Sequence, residues 1–377
     1  MPATRTVPRR TVPRRRRTLA AVAALPLLAL VLGACGYGSE SEQDEKTAPA
    51  AKGEKIGGLG EVKIGYFANI THATALVGLQ EGLIQKELGG TKIKPQVFNA
   101  GPSEIEALNA GAIDIGWIGP SPSINGFTKS KGQNLRIISG SASGGVSLVV
   151  DPKKIKSLDD LKGKRIATPQ LGNTQDVALL NYLSDKGLKV DTNTGKGDVT
   201  VIRQDNKQIP ASFESGSLDG AWVPEPTASK LVAGGGSVLL DEKKLWKDGK
   251  FVITNVIVSQ KFLKEHPDVV EAVLRGSVKT NAWINENPDE AKAAANAKLK
   301  ADSGAALPPE VIDPAWNNVD ITDDPLAATL SVSSEHAVKA GLLEDPLLDG
   351  IYDLTPLNKV LKAEGKPAID DAGLGVE

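Results

Sequence analysis

The chain has 377 residues, of which 44 are Lys or Arg and 46 are Asp or Glu, for a formal net charge of −2. That balance gives no basic footprint for nucleic acid. A single cysteine excludes an internal disulfide, and aromatics at 4% argue against a sugar site built on stacked rings.

The N-terminus reads as an export signal. Residues 1–17 hold seven arginines and no acid. Leu19–Leu32 is an apolar run of 14 residues, short of the roughly 20 that span a bilayer. Leu32-Gly33-Ala34-Cys35 follows, with small residues directly ahead of the cysteine that a lipoprotein signal needs as its acceptor thiol. The expected processing removes residues 1–34, lipidates Cys35 and leaves the protein outside the cytoplasm, anchored to the cell membrane. Arg14–Arg17 keeps both Sec and twin-arginine export open. Loss of the arginine-rich leader makes the remaining chain net acidic. Residues 35–60 are polar, rich in Gly, Ser, Glu and Lys, and without periodicity, as a flexible tether would be.

The folded part opens with Val62–Tyr66, a strand by alternation. Thr71–Leu88 reads as one helix, with Ala75, Leu76, Leu79 and Leu83 on a single face. Ile93–Phe98 is a second strand, Ser103–Ala110 a helix behind Pro102, and Ile113–Ile118 a third strand. The alternation predicts an α/β fold with a mostly parallel sheet flanked by helices. The pattern then recurs about 105 residues later: Gly111–Ile118 (GAIDIGWI) matches Gly216–Val223 (GSLDGAWV), and both run into prolines. NITHATALVGL at 69–79 resembles NTQDVALLNYL at 173–183, in the same order. A duplicated α/β unit, hence two lobes, follows. Val146–Val150 and Phe251–Ser259 are the natural crossings between them, which predicts a first lobe over 61–150, a second over 151–253 and a return to the first over 254–377. Beyond Gln260 the chain reads as helical, with Pro267 and Pro288 near helix starts.

In open α/β sheets ligands bind beyond the carboxyl ends of strands, at helix N-termini. Four segments have that grammar: Tyr66–His72, the GPSPS stretch at 119–123, Ser139–Gly145 and Thr168–Gln175. Ser121 is the expected cap of the helix after the third strand, with Pro122 at its first position. Unpaired amides there, with hydroxyls and the positive end of the helix dipole, would hold an anion without Lys or Arg. Each segment alone is also compatible with an ordinary capped turn. Trp117 and Trp222, the paired aromatics of the repeat, fit the core or the wall of a cleft equally. Glu225 fits a helix start or an amine on the ligand. His72, His266 and His336 have no metal-ligand spacing, and no nucleophile elbow, phosphate loop or metalloprotease motif occurs. No catalytic residue, metal or cofactor is expected.

KIGYFANITHATAL, ALNAGAIDIGWIGPSP, TPQLGNTQDVALL, DGAWVPEP and HPDVVEAVL…WINENPDEA resemble the solute-binding lipoproteins of ABC importers, nearest to the aliphatic sulfonate, taurine and nitrate group. The resemblance covers roughly 60–300 and implies a two-lobed, type II periplasmic-binding-protein fold that closes on its ligand and delivers it to a permease with its ATPase. Carried over by position, it places Asn69, Thr71, His72, Trp117, Ser121, Ser143, Gly144, Gln170, Asn173, Thr174, Trp222 and Glu225 at the ligand. It implies a small anion of the alkanesulfonate, taurine or nitrate class. Bicarbonate binding, and an enzyme or binder of pyrimidine precursors on the same fold, are the alternatives.

Overall fold

A computed structural model describes residues 53–376; the leader, Cys35 and the first part of the tether lie outside the described residues. Eleven strands are present among them: β1 (Glu61–Phe67), β2 (Lys92–Phe98), β3 (Ile115–Ile118), β4 (Leu135–Gly144), β5 (Val146–Val150), β6 (Arg165–Thr168), β7 (Thr200–Arg203), β8 (Gly220–Pro224), β9 (Ser237–Asp241), β10 (Val252–Ser259) and β11 (Val319–Ile321). They form a six-stranded sheet in the order β11-β4-β10-β3-β1-β2 and a five-stranded sheet in the order β7-β6-β8-β5-β9.

The duplication is visible in the pairing. β1 lies parallel to β2 and β3, as β6 lies parallel to β7 and β8. Next to β3 runs β10, and next to β8 runs β5, each antiparallel. Each sheet thus receives an antiparallel strand from outside its own repeat, so both are mixed rather than mostly parallel. Gly111 and Gly216 hold the same left-handed turn at φ 70° and 72°, a conformation that glycine adopts without a Cβ penalty. The aspartates three residues on make the same pair of bonds. Asp114 accepts the Lys63 amide and Asp219 the Arg165 amide, both at 2.9 Å. Each aspartate's own amide donates back to the carbonyl of the same partner.

Two expectations are corrected. The helix expected over 71–88 is a 3-10 turn at Ile70–His72, then helices Ala73–Gln80 and Leu83–Leu88. Gly82, at φ 68°, breaks the run. Second, β5 belongs to the five-stranded sheet, so the chain leaves the six-stranded sheet at Gly144–Gly145 and not after Val150. Both glycines have positive φ, and a Cβ on Gly145 would strike Val319. The segment beyond 300 supplies β11 at the edge of the six-stranded sheet. Its helix Ala328–Lys339 packs on helices Pro120–Lys129 and Thr174–Asp185, one from each half.

The first core is built on Ile64, Ile115, Val256 and Val258 from the central strands, with Val270, Leu274 and Val278 of helix Pro267–Glu286. Burying each such side chain stabilises by about 1.5–3 kcal/mol. One charge-bearing residue sits within this packing. Glu104, on helix Gly101–Asn109, is fully buried, and neither carboxyl oxygen has a hydrogen-bond partner among the described residues. Its carboxyl lies over Gly65 and Gly116, paired neighbours on β1 and β3, where any Cβ would collide with it. Burial lifts the Glu104 carboxyl well above the ordinary carboxylate range, which favours its protonated form. A proton held by the folded chain and released by the unfolded one makes stability fall as pH rises past the unfolded value. Glu104→Gln, neutral throughout, should therefore gain stability relative to wild type as the pH is raised. Urea unfolding at about pH 5 and about pH 8 measures the difference; an advantage that shrinks with rising pH would contradict a neutral Glu104.

Candidate functional site

Six strand ends converge on one small cavity of about 20 Å³ between the two sheets. Phe67, Asn69, Thr71 and His72 follow β1, Asn99 follows β2 and Gly119 follows β3. From the other sheet come Asn173, Thr174 and Gln175 after β6, Asn206 after β7 and Pro224 at the end of β8. This is the crevice outside the carboxyl ends where such sheets take ligands.

Each element is held in place by identifiable bonds. Asp176, fully buried in the first turn of helix Thr174–Asp185, accepts Thr168 Oγ1 at 2.7 Å, the Gly172 amide at 3.0 Å and Arg203 Nε at 2.9 Å. It thereby ties the end of β6, its loop and the end of β7 together. Arg203 offsets the negative charge that Asp176 places at this helix start. The amides of Asp176 and Val177 return to the Asn173 carbonyl, so Thr174 and Gln175 keep the unpaired first-turn amides. The Thr174 hydroxyl is buried with no partner among the described residues.

His72 is 2% exposed, its ring 4.4 Å from that of Phe67. The Phe67 amide donates to His72 Nδ1 at 3.3 Å. That bond fixes the tautomer: Nδ1 accepts, and Nε2 carries the proton. Burial pushes His72 down to about 3, so the ring is a neutral donor at physiological pH. No lining residue of the cavity is charged at that pH. An occupant would meet hydroxyls, amides and one imidazole N–H.

Five of the anticipated residues line this space: Asn69, Thr71, His72, Asn173 and Thr174. The others do not. Trp117 and Trp222 are both 0% exposed and belong to the two cores, and Trp222 donates its indole N–H to Glu242 at 2.7 Å. Ser143 sits on β4 with its hydroxyl accepting the Phe251 amide at 3.4 Å, and Gly144 lies against Lys243. The Gln170 carbonyl accepts the Asn173 amide, which shapes the loop while its side chain stays outside the lining.

Ser121 is a correction of a different kind. The helix begins at Pro120 with Gly119 as its cap, so Ser121 sits one residue inside it. Pro120 and Pro122 have no N–H, and the Ser123 amide returns to the Gly119 carbonyl, which leaves Ser121 the one unpaired amide of that first turn. Glycine at 119 lets this helix start approach the other half, because a methyl group there would collide with the Thr174 hydroxyl.

Glu225 does not face the cavity either. Its Oε1 accepts Asn318 Nδ2 at 2.7 Å and its Oε2 accepts the Ser229 amide at 3.0 Å. Its carbonyl accepts the Ile70 amide at 3.1 Å, and its own amide donates to Gly145 at 2.9 Å. Glu225 therefore fastens the end of β8 to the turn after β1 and to the residue before β11. Ile253 on β10, Asn99 and Asn206 are lining residues that sequence reasoning missed. The two asparagines follow the second strand of each repeat, β2 and β7, and the signal was the repeat itself, had it been applied to every strand.

The profile of the NMT1-like family matches residues 58–299, which span the described strands up to β10 and the helices after it. The chain belongs to the NMT1-like family. A putative aliphatic sulfonates-binding protein of Bacillus subtilis is 30% identical over 256 residues, covering 62% of this chain and 68% of that protein. A putative binding protein of Brucella abortus is 27% identical over 300 residues, covering 76% and 88%. The alkanesulfonate-binding protein SsuA of Xanthomonas axonopodis pv. citri, solved bound to MOPS, shares the fold with a TM-score of 0.62 at 22% identity, over 78% of this chain and 96% of that one. The fold is thus the mixed α/β architecture of periplasmic binding proteins, and these relatives are named as binding proteins, not enzymes.

The unpartnered Thr174 hydroxyl separates stability from binding. A buried hydroxyl with no partner costs about 1–3 kcal/mol, and an isosteric methyl does not. Thr174→Val should keep or raise the melting temperature, and should weaken any anion that bonds to this hydroxyl by about tenfold, the effect of one hydrogen bond to a charged group. Calorimetric titration alongside thermal unfolding reads both. Unchanged affinity would remove Thr174 from the site.

Proposed function

We propose that this protein is the extracytoplasmic solute-binding component of an ABC importer, which captures a small oxyanion and hands it to a permease with its ATPase. The observation that carries the reading is the cavity at six strand ends, lined by neutral donors from both sheets. A sulfonate has three acceptor oxygens. The Thr174 hydroxyl, the His72 Nε2–H and the unpaired Thr174 and Gln175 amides are of the right kind to meet them. A helix start and its amides favour an anion without a formal positive charge. An aliphatic sulfonate is the first choice, because Phe67, Pro224 and Ile253 give the cavity an apolar wall that nitrate or bicarbonate would leave unused. The names of the sulfonate-binding relatives agree with this choice. An enzyme of pyrimidine precursors would need reactive histidine and cysteine side chains, and the lining offers one neutral histidine and no cysteine.

The two sheets act in this proposal as lobes that close on the ligand, joined at Gly144–Gly145 and through residues 242–251, with Glu225 as one of the fastenings of the closed form. The basic and apolar leader with Cys35 supports a lipid anchor and a place outside the cytoplasm; palmitate labelling that disappears in Cys35→Ser is its test.

A thermal-shift screen of ethanesulfonate, taurine, nitrate, bicarbonate and a hydroxymethylpyrimidine tests the ligand class. At a hundredfold excess over its Kd a true ligand adds about 2.7 kcal/mol, and ethanesulfonate should give the largest shift of the five. Small-angle scattering should then show a smaller radius of gyration in that complex. A shift with the pyrimidine alone would overturn the oxyanion reading.

A further inference from the structure

The cavity between the sheets does not end at its neutral lining. A second chamber of about 50 Å³ shares Asn69, Asn99 and Asn206 with it and continues outward between the ends of β2 and β7. Its chemistry is different. Lys230, on helix Thr227–Ala233, and Lys207 both line it, and neither forms an ion pair among the described residues. Lys230 is half-buried. Desolvation, with the charge of Lys207 adding to it, pushes the Lys230 ammonium below its ordinary range. Asp205 is the one acid in the lining, and one of its oxygens already accepts the Lys207 amide at 2.8 Å. The chamber is therefore net positive. The Asn206 side-chain oxygen, at the junction of the two spaces, is buried without a partner.

A half-buried ammonium facing a second one is costly unless something negative joins them. No carboxylate among the described residues does so. We propose that the ligand is an elongated dianion, a sulfonate carrying a second acid group such as a carboxylate, with one end among the neutral donors of the inner cavity and the other against Lys230 and Lys207. The inference rests on the oxyanion-binding reading and narrows it. Nitrate and bicarbonate are too short to occupy both spaces. Taurine also carries a second charged group, but its ammonium would be brought towards two lysines, a like-charge juxtaposition that selects against a ligand.

A length-matched pair tests it: 3-sulfopropanoate and propane-1-sulfonate, titrated calorimetrically into wild type, Lys230→Gln and Lys207→Gln. The second variant, at an exposed position, guards against a folding defect in the first. In wild type, 3-sulfopropanoate should bind about tenfold tighter or more, the effect of one charge-assisted hydrogen bond. Each substitution should reduce that advantage while leaving propane-1-sulfonate within about twofold. Equal wild-type affinities for the two compounds, or equal losses for both in the variants, would overturn the dianion and leave the oxyanion reading standing. No heat from either sulfonate, with nitrate or the pyrimidine binding instead, would overturn the sulfonate reading itself.

Discussion

The structure turns on one close approach. The helix that starts at Pro120 follows β3 of the six-stranded sheet, and the helix that starts at Thr174 follows β6 of the five-stranded sheet. They meet where Gly119 lies against the Thr174 hydroxyl, at a separation that a single methyl group would forbid. Because of that contact, strand ends from both sheets open into the same small space. The glycine is needed for what it lacks. With a side chain at 119 the Thr174 hydroxyl would have to move before the two halves could come together here.

Around this contact the protein places charge where it fastens backbone and keeps it away from the cavity. Asp176 and Arg203 lock the β6 and β7 ends together below the site. Glu225 joins β8 to the turn after β1 and to Asn318. Lys243 reaches Asp320 on β11 at 2.9 Å, another link from one sheet to the other. Each of these carboxylates is occupied with amides or cations of the fold, so none of them is left to repel an anion from the inner space. A binding site that must release its ligand benefits from this: neutral hydrogen bonds hold an anion more weakly than a buried ion pair would. The duplicated aspartates, Asp114 and Asp219, do the equivalent work at the far ends of the strands, where each pins the start of its parallel neighbour.

Much of this was legible in the residues. Alternation marked β1, β2 and β3, and the repeat of GAIDIGWI in GSLDGAWV placed β8 and implied a second sheet. NITH and GNTQ were correctly read as strand-end segments, and they supply Asn69, Thr71, His72, Asn173 and Thr174 to the cavity. Three features were not legible, for physical reasons. The tryptophans of the repeat are at identical positions in both copies because each fills a core, a role that sequence cannot distinguish from lining a cleft. The prolines of GPSPS looked like rigid supports for an amide nest, yet each proline also removes one of the donors that such a nest would need. Glu225 looked like a ligand contact, but its partner Asn318 is 93 residues away, in a tail whose place in the fold no local pattern announced. Asn206 was missed because β7 is four residues long, too short for its alternation to register.

His72 offers the most direct test of how the anion is held. Nitrogen-15 spectroscopy of its imidazole, at about neutral pH, reads the protonation state and the tautomer together. The account predicts a neutral ring protonated at Nε2, unchanged in charge on addition of ethanesulfonate, with the Nε2 proton moving downfield as it donates to the bound oxygen. A doubly protonated imidazolium, or an Nε2 proton that does not respond when calorimetry shows the ligand bound, would contradict an anion held by neutral donors in this cavity.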